Sequence, residues 1–194
     1  MKRIVIAAMI ALLLIPLLKE GVTLAASYGW QSLPQFGPTG TPASTSTTGG
    51  HAPDELTVSS VADGDTFTGR TRSGVRVKVR MLGIDAPEIA HGNKSADCGG
   101  GAAARALTGL MRNRTVTVTT DPRSDRYDRY GRLLAYVSLN GTDVALDLIE
   151  GGFVKAWYPS GEPQPTRFGT YSRAQASARL GRVGQWAVCA ELGR

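Results

Sequence analysis

Two short acidic clusters carry the first chemical signal. Asp63-Gly64-Asp65-Thr66 and Ile84-Asp85-Ala86-Pro87-Glu88 each gather carboxylates at the expected end of an extended segment. Hard oxygen atoms converging from two loops suit a Ca2+-type cation, which takes carboxylate and backbone-carbonyl ligands. Pro87 fixes φ and so helps hold a loop carbonyl and Glu88 in place. An EF-hand is excluded, because the twelfth position counted from Asp63 is Gly74 and not glutamate. Asp and Gly are common turn residues, and either cluster taken singly is an ordinary acidic turn.

A second constellation is cationic and aromatic. Asp128-Arg129-Tyr130-Gly131-Arg132 follows Asp125-Arg126-Tyr127. Arginine forks bind phosphate oxygens through paired, charge-assisted hydrogen bonds. Interleaved tyrosines stack on bases or hydrogen-bond phosphates. The competing reading is a solvated turn laced with weak surface ion pairs.

Other chemistries fall away. Gly99 to Ala104 formally matches a G-x-G-x-x-A dinucleotide loop, but the polar stretch Ala90–Asp97 supplies no strand to feed it. Walker-A and G-x-S-x-G sequences are absent. Two cysteines and two histidines do not furnish a structural zinc site. The 194 residues are 42% hydrophobic and 20% charged, as in a globular chain, and 24 Gly with 10 Pro disfavour a helical bundle. The net charge of +6 and pI near 9.6 favour anionic partners such as nucleic acid.

The elements that must position these groups start near Glu55. Leu56–Val61 reads as a strand, residues 62–65 as a turn, and Thr66–Thr68 as the start of the returning strand. Val75, Val77, Val79 and Met81 alternate with Arg76, Lys78 and Arg80, which gives one apolar and one cationic face. Gly83 allows a bulge where that strand ends. Thr115–Thr119 and Leu133–Leu139 are the fourth and fifth strands. Ala102–Met111, Asp143–Glu150 and Arg167–Leu180 read as helices, the second stopped by Gly151-Gly152. Five short strands with helices inserted and appended predict a small closed barrel of the α+β class.

With Val79 to Glu88, Asp63 to Thr66 and Asp128 to Tyr136 in view, the chain resembles the staphylococcal nuclease (thermonuclease) family over about residues 55–190. The resemblance implies an OB-fold barrel and a Ca2+-dependent phosphodiesterase acting on DNA and RNA, with 3′-phosphorylated products. Carried over position by position, it implies Asp65 and Asp85 as metal ligands, joined by the backbone carbonyl of Ala86, where the family commonly has threonine. It implies Glu88 as the catalytic carboxylate and Arg80 and Arg132 as phosphate-binding arginines. Arg129, Tyr130 and Tyr158 resemble substrate-contacting positions. The loop Ile89–Cys98 departs most from the family pattern. No stable protein partner is implied, and the chain is expected to act as a monomer. The rival is a non-catalytic, surface-tethered nucleic-acid-binding module, which would gain nothing from carboxylates beside its basic strip. A cell-envelope interaction protein is a third class, resting on the N-terminal segment alone.

That segment has the pattern of a secretory signal. Lys2-Arg3 precedes an apolar run from Ile4 to Leu18, and Thr23 and Ala25 suit a cleavage site. The run is shorter than the ~20 residues of a membrane span, and an uncleaved anchor is the alternative. Residues 26–53, with only Gly, Pro, Thr, Ser and Ala from Gly37 to Gly50, read as a flexible tether, and residues 54–194 as the nuclease-like domain. Removing residues 1–25 takes Lys2, Arg3 and Lys19 against Glu20, and the chain stays basic. Export would place Cys98 and Cys189 in an oxidising compartment, where they are expected to form a disulfide in preference to a Cys98–His91 thiol site.

Overall fold

The computed structural model describes residues 55–192. The predicted signal segment and tether lie outside the described residues. Strands β1 (Glu55–Val61), β2 (Thr66–Arg70) and β3 (Arg76–Met81) form an antiparallel meander. Strand β4 (Ile84–Asp85) and helix α1 (Gly100–Met111) precede β5 (Thr115–Thr119) and β6 (Leu133–Leu139). Strand β5 pairs antiparallel with both β1 and β6, and β3 meets β6 in parallel. That last pairing closes a five-stranded barrel, the OB-fold of the α+β class that the resemblance implied. Strand β7 (Thr142–Asp143) extends β6, helix α2 (Val144–Glu150) follows, and β8 (Lys155–Ala156) pairs with β4 in a separate ribbon. Helix α3 (Phe168–Leu180) and a 3-10 turn at Gly184–Ala187 complete the described chain.

The period-2 pattern accounts for the barrel wall. Leu56 and Val58 of β1 are fully buried while Glu55, Thr57 and Ser59 face out. In β3 the apolar face is Val77, Val79 and Met81; Val75 lies just before the strand and is 59% exposed, so the predicted alternation begins one step late. Gly83, with φ +77°, turns the chain from β3 into β4. Helix α1 begins two residues earlier than expected, and the glycine run is its first turn. Ala103, Leu107 and Met111, four residues apart, bury one stripe against the barrel. Asp143 caps α2, accepting hydrogen bonds from the amides of Ala145 (3.0 Å) and Leu146 (3.2 Å). Its other oxygen receives Arg167 Nη1 at 2.7 Å and the Tyr171 hydroxyl at 2.8 Å, which ties α3 to α2. Cys98 and Cys189 form the expected disulfide. Among the described residues no helix is long and apolar enough to cross a membrane.

Asp121, a buried acid just after β5, ties β6 to the chain before α3. Asp121 is 3% exposed, and its Oδ2 accepts from the Tyr136 hydroxyl, the Thr166 amide at 2.6 Å and the Thr166 hydroxyl at 2.9 Å. Its Oδ1 accepts from the Arg123 amide at 2.9 Å. Burial pushes the Asp121 carboxyl up, but these donors outweigh it and hold the group below the usual carboxylate range. The charged form therefore stabilises the fold above the unfolded value, and that stabilisation is lost as pH falls through the folded one. Asp121→Asn points an amide at a shell made of donors. We expect a loss of about 2 kcal/mol in urea unfolding at pH 7, shrinking as the pH falls below about 4. A deficit unchanged across that pH range would contradict the assignment.

Candidate active site

The β1–β2 turn is built around Asp63, whose Oδ1 accepts from the amides of Asp65 (3.0 Å) and Thr66 (2.7 Å). A side chain at Gly64 would meet Ala103 Cβ at 2.6 Å and Ala86 Cβ at 2.7 Å, so only glycine lets the turn lie flat against α1 and the second acidic loop. The turn delivers Asp65 inward, 5% exposed. Asp65 Oδ2 accepts from the Ala86 amide at 2.7 Å and Oδ1 from the Thr66 hydroxyl at 2.9 Å. The two acidic clusters, twenty residues apart in sequence, thus touch through a hydrogen bond.

Arg80, at the end of β3, joins them a second time. Its Nε lies 3.1 Å from Asp65 Oδ1 and its Nη2 3.1 Å from Asp85 Oδ1. Nη1 donates to the carbonyls of Met81 and Ile84, both at 2.9 Å. Lys155 Nζ stands 3.4 Å from Asp85 Oδ2, placed there by the Asp85–Lys155 register of the β4–β8 ribbon. Burial pushes the Asp65 carboxyl up to about 7; Arg80 opposes the shift and the Asp63 charge adds to it.

Arg132 is the residue just before β6, the strand paired with β3. Asp128 Oδ2 takes Arg132 Nε at 2.6 Å, and Asp128 Oδ1 accepts from the amides of Tyr130 and Arg132, both at 2.9 Å. Burial raises the Asp128 carboxyl, yet these Arg132 and Tyr130 bonds outweigh it and hold it below the usual range. Arg129 donates to the Tyr130 hydroxyl at 2.7 Å and lies over its ring. Glu88 is exposed, with its carboxylate 3.3 Å from His91 Nε2 and its amide 3.2 Å from Asp97 Oδ2.

Asp65, Arg80, Asp85, Ala86, Glu88, Arg129, Tyr130, Arg132 and Tyr158, the residues to which the resemblance gave metal, catalytic or substrate roles, line one open cleft of about 630 Å³. Tyr158 packs edge-on against Phe168 with ring centres 4.7 Å apart, and the more exposed Trp157 and Tyr127 share the lining. Sequence reasoning missed Lys155, His91 and Asp97 as neighbours of the site. Among the described residues no three Asp, Glu, His or Cys side chains form a complete metal cage. Asp65, Asp85 and the Ala86 carbonyl are hard donors that could hold one divalent cation only with water or substrate oxygens filling the remaining positions. The donor set fits such an ion by its chemistry: two carboxylates and a backbone carbonyl, all oxygen, on one cleft.

A closed five-stranded barrel with two acidic loops and two arginines on one cleft defines the class. The family model for staphylococcal nuclease homologues matches residues 78–188, more than half of the chain, and the chain belongs to that family. It is 30% identical over 132 residues to the SPbeta prophage-derived endonuclease YokF of Bacillus subtilis, covering 68% of this chain and 44% of that protein. It is 30% identical over 129 residues to an uncharacterized endonuclease of Haemophilus influenzae (66% and 63%) and 28% identical over 131 residues to endonuclease YncB of Bacillus subtilis (68% and 61%). The chain thus spans less than two thirds of the length of each of these relatives.

Arg80→Ala strips the shared cation from Asp65 and Asp85. Because it leaves a buried charge uncompensated, we expect a loss of about 3 kcal/mol of unfolding free energy by denaturant titration. A variant as stable as the parent would show that Arg80 does not brace the two loops.

Proposed function

We propose that the chain is a Ca2+-dependent nuclease that hydrolyses phosphodiester bonds of DNA and RNA with little sequence preference, leaves 3′-phosphorylated products and works outside the cytoplasm. The observation that carries this reading is that Asp65, Asp85, Glu88, Arg80 and Arg132 line a single cleft. The endonuclease names of the relatives support it. Export is supported by the pattern of residues 1–25 and by the Cys98–Cys189 disulfide, a bond that persists in oxidising compartments. A module that only binds polyanions has no use for carboxylates beside its arginines.

A phosphodiester is anionic and repels an attacking hydroxide, so the task is charge neutralisation and placement of water. Bound to Asp65, Asp85 and the Ala86 carbonyl, Ca2+ would supply positive charge at a phosphate oxygen and help order the attacking water. Glu88, exposed on the cleft, is the general base that accepts the water proton. Arg132, with Nε anchored on Asp128, presents a guanidinium to the phosphate oxygens as charge builds. Arg80 adds positive charge from the cleft wall while it holds the acid loops. Each such arginine contact is worth about 2–4 kcal/mol in the transition state. Arginine is a poor acid, so its role is electrostatic. The exposed rings of Tyr130 and Trp157 offer sequence-tolerant stacking surfaces for bases.

Glu88→Gln and Arg132→Ala are each expected to lower kcat by about 10²-fold or more with the circular dichroism spectrum intact. Near-parental turnover in either would remove that residue from the mechanism. Chelation with EGTA is expected to abolish hydrolysis and added Ca2+ to restore it; activity that survives thorough chelation would overturn the metal requirement.

A further inference from the structure

The loop of residues 89–98 is closed at its base by a reciprocal clamp on Glu88. The Glu88 amide donates to Asp97 Oδ2 at 3.2 Å, and the Asp97 amide donates back to the Glu88 carbonyl at 2.9 Å. The first turn of α1 presses on the same carbonyl: a Cβ at Gly100 would lie 2.2 Å from it, so any side chain there would displace Glu88. Cys98 directly follows Asp97 and stands two residues before Gly100; it is exposed and bonded to the buried Cys189. Cys189 is fixed in turn, its amide donating to the Gln185 carbonyl at 2.8 Å and the Gln185 amide to the Gly152 carbonyl at 3.0 Å, just past α2. A covalent line therefore runs from the carboxy-terminal segment to the residue next to the Glu88 clamp, while the Glu88 carboxylate itself lies 3.3 Å from the exposed His91.

Resting on the nuclease reading above, we propose that Asp97 is a positioning residue for Glu88 and that the Cys98–Cys189 disulfide locks it, so that turnover depends on the oxidised state of this pair. A dithiol gives up two electrons and two protons and closes its own disulfide; the Cys98–Cys189 bond becomes two thiols and the clamp is freed from its anchor. Activity is thereby confined to an oxidising compartment.

The test uses the full chain. In the oxidised protein Glu88→Gln is assayed beside the parent, so that a chain with no Glu88-dependent hydrolysis defeats the nuclease reading itself. Amide hydrogen exchange over residues 86–98, with and without dithiothreitol, then tests the clamp independently of activity. We expect exchange there to quicken about tenfold on reduction while β1–β3 stay protected. In hydrolysis assays reduction, the Cys98→Ser/Cys189→Ser pair and Asp97→Ala should each lower kcat about tenfold with KM within about threefold, whereas Asp97→Asn, which keeps an acceptor for the Glu88 amide, should retain kcat. If the double serine variant fails to fold, Asp97→Ala with its disulfide intact carries the kinetic arm. Unchanged exchange at residues 86–98 on reduction, or a lowered melting temperature with kcat unchanged, would overturn the proposal.

Discussion

The Arg80 guanidinium stands between Asp65 and Asp85, and the cleft depends on that contact. Carboxylates on neighbouring loops repel each other, and burying one of them is costly unless it is paired and hydrogen-bonded. Arg80 meets both acids at 3.1 Å and anchors its third nitrogen on two backbone carbonyls, so its position is set by β3 and not by a flexible tip. Compensation is incomplete at Asp65, whose carboxyl burial still drives upward.

The barrel explains why motifs far apart in the chain meet. Parallel pairing of β3 with β6 sets Val79 beside Leu133 and Arg80 beside Leu134. Arg132, one residue before β6, therefore emerges near Arg80 without any sequence proximity. The turn that aims it is held by Asp128, which accepts three hydrogen bonds from Tyr130 and Arg132. On the opposite wall, Gly64 and Ala86 are small enough to let the two acid loops pack on α1.

Much of this was legible in the sequence, because period-2 alternation and turn chemistry are local. Leu56 and Val58, Val79 and Met81, and the strand at Leu133–Leu139 announce themselves by pattern. Asp65, Arg80, Asp85, Glu88 and Arg132 of the cleft were legible as parts of three motifs. What local pattern could not supply were contacts made by very short elements. Lys155 reaches Asp85 only through a two-residue strand pair, too brief to show a period. Asp97 meets Glu88 across a loop with no repeating pattern, and Val75 looked like strand because alternation alone does not reveal where a hairpin frays into its turn. The glycine run that opens α1 formally matched a dinucleotide loop, but in the fold it is the place where the helix comes within contact of the Glu88 carbonyl.

The central claim is that a divalent cation and a nucleic-acid phosphate share one cleft and stabilise each other there. Binding linkage tests it most directly, in calorimetric titration of Ca2+ into the Glu88→Gln protein, with and without a short single-stranded DNA. DNA is expected to tighten Ca2+ binding by about tenfold or more, with Ca2+ tightening DNA binding by the same factor. Equal Ca2+ affinity in the presence and absence of DNA would contradict it.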